Sequence, residues 1–294
     1  MRSIGMSELR ALAAASAALW LALAPAHASP PFWAIKSGDA TVYLLGTVHV
    51  VRNGTNWETP AIAKAFADAE DLWLEETDDD PATAQPLIAE LGVDREHPLS
   101  TKVSAAELAQ IDAAAKSMGM PGETALEPMR PWLAAVTLAV VPIIKAGYDP
   151  NKGVDKVLKA EAEAQHKRIH AFETLDQQLH FFADLPPAAE MQFLQSTLDD
   201  VAEGPKKVDE LVTAWSSGDM AALNKEFSDL EQPKYHDIYE ALIVRRNQAW
   251  ADQIASGLKT QKGVTFIAVG AGHFTGPDAL QTLLEQHGLR VERQ

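Results

Sequence analysis

Two stretches of this chain, more than 200 residues apart, share one construction. Each is an apolar, β-branched run that stops at a glycine and delivers a histidine three positions on. The first, residues 41–50, is Thr-Val-Tyr-Leu-Leu-Gly-Thr-Val-His-Val; the second, residues 264–273, is Val-Thr-Phe-Ile-Ala-Val-Gly-Ala-Gly-His. Runs of this length and composition suit strands buried on both faces. A glycine just past such a strand lets the backbone turn, so the next side chains stand on the rim of the sheet. Ligands of open α/β sheets bind outside the carboxyl ends of the strands. His49 and His273 are therefore expected at one rim. With 17 Gly and 9 His in the chain, the bare Gly-x-x-His pattern is weak. The strand preceding both copies is what makes it specific.

Two more strand-like segments end in carboxylates. Residues 71–76 run Asp-Leu-Trp-Leu-Glu-Glu, and residues 168–173 run Arg-Ile-His-Ala-Phe-Glu. The acidic run 75–80 reads equally as a solvated loop. It has neither the glycine nor the spacing of an EF-hand. Glu75, directly after three apolar residues, is harder to dismiss, although Glu76 beside it leaves the position open by one place. Residues 32–45 read as a β-hairpin around Gly38-Asp39. Helices are expected at 57–70, across much of 81–150, at 153–165 and through most of 186–262, with Ser104 and Glu107 forming a capping box. The apolar run 132–144 is too short to span a membrane and contains Pro142, so it reads as a buried helix or a subunit interface. In the helix expected over 235–258, the stripe Tyr239, Ile243, Trp250, Ile254 has Arg246 in its middle. An arginine facing a core needs carboxylate partners. Pro277 reads as a helix start, and 289–293 as a last strand. The expected fold is α/β, bordering on α+β. It has a central mixed, mostly parallel sheet flanked by helices, with a helical insertion, in one domain over residues 29–294.

Residues 1–28 read as a cleavable signal peptide. Arg2 and Arg10 precede an apolar stretch, and Ala26-His27-Ala28 is a small-x-small site. The expected destination is the periplasm or secretion beyond it, with no stable membrane anchor after cleavage. A net charge of −16 argues against nucleic acid as a partner and favours a neutral, cationic or metal-bound ligand. The absence of cysteine excludes disulfides, thiolate metal sites and a cysteine nucleophile.

Six pieces of the chain, in order, resemble the TraB/GumN family. They are Leu-Leu-Gly-Thr-Val-His49, Asp-Leu-Trp-Leu-Glu75, Gly153-Val-Asp155, Phe172-Glu173-Thr174 with Gln177-Gln178, Arg246-Asn247, and Val-Gly-Ala-Gly-His273 with Gly276. That family is related to the Tiki metalloproteases and, more distantly, to ChaN and erythromycin-esterase-like proteins. The resemblance implies a hydrolase site with a divalent metal, acting on a peptide or small-molecule substrate. His49, His273 and Glu75 are then the metal ligands, with Mn, Co or Zn as suitable ions. Glu173 is the general base or a fourth ligand. Arg246 orients the carboxylates or stabilises a developing oxyanion. Asp155 and Asn247 hold the ligands in place. No Gly-x-Ser-x-Gly elbow or His-Glu-x-x-His helix is present.

Two alternatives belong to other classes. One is a periplasmic ligand-binding protein without turnover, such as a haem carrier using Tyr43 or His49 as axial ligand. The other is a non-catalytic scaffold that keeps the motifs for folding.

Overall fold

A computed structural model describes residues 29–78 and 80–294; the signal peptide expected at 1–28 lies outside the described residues. Strands β1 (Phe32–Ser37) and β2 (Ala40–Thr47) form the hairpin, turning at Gly38, whose φ of +57° suits a residue without Cβ. Helix α1 (Pro60–Asp68), capped by Thr59, leads into β3 (Asp71–Leu74). A helical excursion follows: α2 (Pro81–Gly92), α3 (Ala105–Ser117) and α4 (Pro131–Lys145). The chain returns through α5 (Val154–Ala164) to β4 (Arg168–Ala171). Then come α6 (Leu175–Ala183), α7 (Pro187–Asp200), α8 (Gly204–Ser217), α9 (Met220–Phe227) and α10 (His236–Tyr239). A π-helical turn at Glu240–Val244 joins α10 to α11 (Arg245–Gly257). The chain closes with β5 (Gly263–Gly270), α12 (Leu280–Gln286) and β6 (Val291–Arg293).

The six strands form one mixed sheet in the order β4-β3-β5-β2-β1-β6. The β2–β5, β3–β5 and β3–β4 pairs are parallel, and β1 pairs antiparallel with β2 and β6. This is the α/β fold expected. The strands alternate between two cores as their pleat requires. Leu45, Leu72, Phe266 and Ala268 face Phe66, Leu158 and Trp215. Val42, Leu44, Ile267 and Val269 face Trp250, Ile254 and Leu280 on the other side. The helical excursion has a core of its own, around Ile111, Leu126, Ala135, Leu138 and Leu194. Arg130 of that excursion makes a charged hydrogen bond to the buried Glu190 of α7.

Several elements depart from expectation. Helix α4 runs through Pro142, and only one face is buried: Trp132, Ala135 and Leu138 point inward while Val140 and Ile144 are exposed. It is neither a wholly buried helix nor long enough to span a membrane, and no described helix is. The single helix expected over 235–258 is two helices joined by the π turn, which no periodicity of 3.6 residues can show. Pro277 does not start a helix; α12 begins at Leu280. Strand β3 ends at Leu74, one residue short of Glu75.

Candidate functional site

The register of the parallel strands assembles the site. Thr47 of β2 lies beside Gly270 of β5, and Leu74 of β3 lies beside both Ala268 of β5 and Ala171 of β4. Four strand ends therefore finish almost level. The residues just beyond them are His49, Glu75, Glu173 and His273. The Glu173 amide donates to the Glu75 carbonyl at 2.9 Å, so the two acidic turns are tied together.

Arg246 sits at the centre. Its Nε donates to Glu173 Oε1 at 2.9 Å, and its NH2 donates to Glu173 Oε2 at 2.8 Å and to Glu75 Oε2 at 2.6 Å. Its NH1 donates to the Leu242 carbonyl and lies 3.2 Å from His273 Nε2. The π turn that carries Leu242 ends two residues before Arg246, and such turns often mark functional positions. The guanidinium carbon stands 4.8 Å from the Trp250 ring centre and 5.1 Å from that of Phe181. Burial works against its charge, but Glu75 and Glu173 more than compensate and raise its pKa.

The imidazoles are oriented from behind. His273 Nδ1 lies 2.7 Å from Asn247 Oδ1, while Asn247 Nδ2 donates to the carbonyls of His273 and Asp278. The amide orientation is thus fixed, Nδ1 carries the hydrogen, and Nε2 presents a lone pair to Arg246. Burial, aided by the charges of Arg246 and His49, lowers the His273 pKa to about 3, so the ring is neutral. His49 Nδ1 lies 3.2 Å from Asp155 Oδ1, at the start of α5. A carboxylate only accepts, so Nδ1 is again the donor and Nε2 turns to the site. Loss of hydration works against the His49 charge, but the Asp155 hydrogen bond and the charges of Asp155 and Glu75 outweigh it and raise its pKa. Glu75 is opposite in sign. Burial raises its pKa, while Arg246, His49 and the Gly270 N–H, which donates to Oε1 at 2.6 Å, pull it down to about 2.

Close approach explains two glycines. A Cβ on Gly153 would lie 2.4 Å from the His49 carbonyl oxygen. Gly153→Ala must therefore push the His49 loop off α5. We expect a loss of about 1–3 kcal/mol in denaturant unfolding; a wild-type midpoint would show that the loop does not pack there. A Cβ on Gly270 would lie 3.1 Å from Glu75 Oε1, 3.4 Å from His49 Nε2 and 3.7 Å from His273 Cδ2.

All seven residues singled out from the sequence, His49, Glu75, Asp155, Glu173, Arg246, Asn247 and His273, thus meet in one place. Glu75 lines the cavity at the site and Glu76 does not; Glu76 lies beside Thr77 and Lys159, on the far side of Asp155. Tyr43 stacks on Phe32 in mid-strand and does not line the cavity at the site. Four participants were not singled out. Gln178, quoted only within a family motif, donates to Glu173 at 3.2 Å and comes within 3.5 Å of Glu75, Phe181 lies one turn on from it, Trp250 packs against both Arg246 and His273, and Gly270 was noted only as the end of a strand. The signal for Gln178 was the Thr174–Gln177 capping box, which starts α6 directly after Glu173 and aims its first turn back at the site.

A profile of the TraB/PrgY/gumN family matches residues 31–293. The chain belongs to that family. It is 23% identical over 273 residues to the uncharacterised protein YbaP of Escherichia coli K12, a match covering 90% of this chain and 96% of YbaP. It is 22% identical over 277 residues to an uncharacterised protein of Treponema pallidum, covering 90% and 82% of the two chains. A more limited match, 27% over 164 residues, is to the metalloprotease TIKI2 of Xenopus tropicalis, covering 47% of this chain and 31% of that one. No solved structure matches.

Proposed function

We propose that this family member is a divalent-metal-dependent hydrolase of amide bonds, exported to the periplasm. The observation that carries the proposal is the convergence of His49, Glu75 and His273 with Arg246 at the floor of a cavity of about 470 Å³, with Glu173 bonded to Arg246 just outside the lining. The similarity to a metalloprotease supports it.

The residues fit a divalent ion in chemical kind. Both imidazoles give their Nδ1 hydrogen to an acceptor behind them and turn Nε2 forward, as metal-binding histidines do. The bare Cα of Gly270 lets Glu75, His49 and His273 approach one point, where a Cβ would crowd Glu75 Oε1 at 3.1 Å. As placed, the side chains are gathered on Arg246 instead of on a common centre, and among the described residues no three metal-ligating groups stand at ligand spacing. His49, His273 and Glu75 are the residues that would hold the ion. A bound divalent ion supplies an acidified water and a polarised carbonyl. The chain's own groups do the rest. Glu173 accepts the proton that the attacking water gives up. Arg246 balances the charge that grows on the carbonyl oxygen. The apolar walls above exclude bulk water and strengthen both interactions.

The test is to strip the mature protein with a chelator, add back Mn, Co and Zn singly, and assay amide and ester substrates. Activity should return with a metal and be absent from His49→Ala and His273→Ala. If no metal binds and haem is taken up stoichiometrically, the carrier reading replaces this one, with His49 the axial candidate left at the cavity. A companion variant tests the space at Gly270. Gly270→Ala, whose φ an alanine tolerates, should remain folded and lose metal affinity at least 10-fold, as seen for perturbed ligand supports. Unchanged affinity in calorimetric titration would place the ion elsewhere.

A further inference from the structure

The walls of the cavity point to the part of the substrate they hold. Above the charged floor they are hydrocarbon: Phe181 and Phe182 of α6, Leu211 and Val212 of α8, Phe227 of α9 and Leu242 of the π turn. The polar side chains lining the cavity are Thr47, His49, Glu75, Gln178, Arg246 and His273, all near the strand ends. The net charge of −16 does not extend into these walls.

The backbone around the site is equally informative. An extended peptide is usually held by pairing with an exposed strand edge. Here the strands whose following residues line the cavity, β2, β3 and β5, are interior; β4 and β6 form the edges, and Glu173, which follows β4, does not line the cavity. The loop after β2 is also committed: the Val48 carbonyl accepts from Val154 N and the Val51 carbonyl from Asp149 N. The upper walls are helices and a π turn, whose backbone groups bond internally. Among the described residues, no strand edge borders the cavity floor.

We infer that the substrate carries an apolar acyl chain, and that this chain, not an extended peptide, fills the cavity beside the scissile carbonyl. The inference rests on the hydrolase reading for the position of the carbonyl, next to His49 and Arg246. The reaction is N-acyl amide hydrolysis: water oxygen bonds to the carbonyl carbon, the C–N bond breaks, and the departing nitrogen takes a proton. The products are a carboxylic acid and an amine. A cavity of about 470 Å³ is in the range that encloses a small organic molecule.

The test uses the mature protein and a series of N-acyl amides with straight chains of increasing length, beside a capped hexapeptide of mixed sequence. Equilibrium binding is measured by calorimetry and cleavage by release of amine. Affinity should rise about two- to fourfold per added methylene until the cavity is full, the amount expected for burying a CH₂. Val208→Asp should flatten that dependence; Val208 lines the cavity and lies outside the hydrophobic cores. Leu211→Asn, a second wall variant, should flatten it too. A length-dependent affinity without cleavage supports the acyl cavity and removes the hydrolase reading. Cleavage with no dependence on chain length leaves a hydrolase and overturns the acyl cavity. Tighter binding of the hexapeptide than of any acyl amide overturns it as well.

Discussion

Replacing Arg246 by leucine is expected to destabilise the protein by about 3–5 kcal/mol, because it leaves carboxylates buried without their cation. Arg246 is 9% exposed, and the side chains of Glu75 and Glu173 are 13% and 8% exposed, so solvent cannot take its place. The loss should depend on pH. In the intact protein Glu75 is held near 2 against an ordinary 4.5. It therefore adds stability that is present above 4.5 and lost as pH falls through about 2. Without the guanidinium, burial dominates and raises the Glu75 pKa, so acidification relieves the variant. The stability gap between the two proteins should narrow from pH 7 to pH 4, measured by denaturant unfolding at each pH. A gap that stays constant would mean that Arg246 acts by packing alone. Arg246→Lys is the complementary case. An ammonium can pair with a carboxylate, but it cannot bond Glu173, Glu75 and Leu242 together from one planar fork. It should recover much of the stability and still lose about 10²–10³ in kcat/KM.

The sheet was legible because its strands are continuous apolar runs with abrupt ends. The alternation of Val42 and Leu44 to one core and Tyr43 and Leu45 to the other is a period-2 pattern. Gly270 is the last residue of β5, and Gly46 stands one residue before the end of β2. The inward arginine was legible because one charge interrupts an apolar helical stripe, and burial then demands carboxylates. What the sequence did not show is how the pieces are held. The π turn shifts the helical phase locally, so a single 3.6-residue projection across 235–258 merges two helices. Trp250 looked like an ordinary core residue on that stripe. Only the fold shows its ring 4.4 Å from the His273 ring, with Arg246 over the same face of the site. The choice between Glu75 and Glu76 could not be made by counting alone, because strand β3 stops at Leu74 and the turn decides which carboxylate faces Gly270.

His49 and His273 should fail in different ways when each is cut to alanine. The His49 side chain is 62% exposed and, among the described residues, its ring is hydrogen-bonded to Asp155. His49→Ala should therefore stay within about 0.5 kcal/mol of the intact protein. Its kcat/KM should nevertheless fall roughly a thousandfold, the several kcal/mol of transition-state stabilisation that a lost ligand forfeits. His273 is 4% exposed and packs against Trp250 and Asn247. Removing its ring leaves a cavity and strips Asn247 Oδ1 of its donor. His273→Ala should cost about 2–4 kcal/mol as well as activity. Asp155 separates orientation from coordination. Asp155→Asn keeps an acceptor facing His49 Nδ1 but removes the charge, so activity should fall only about 10–100-fold with folding unchanged. Asp155→Ala, which removes the acceptor too, should fall further. The order of activities is then intact protein, Asp155→Asn, Asp155→Ala, His49→Ala. If His49→Ala remains as active as Asp155→Asn, His49 does no more than Asp155 does, and the metal would have to be held without it.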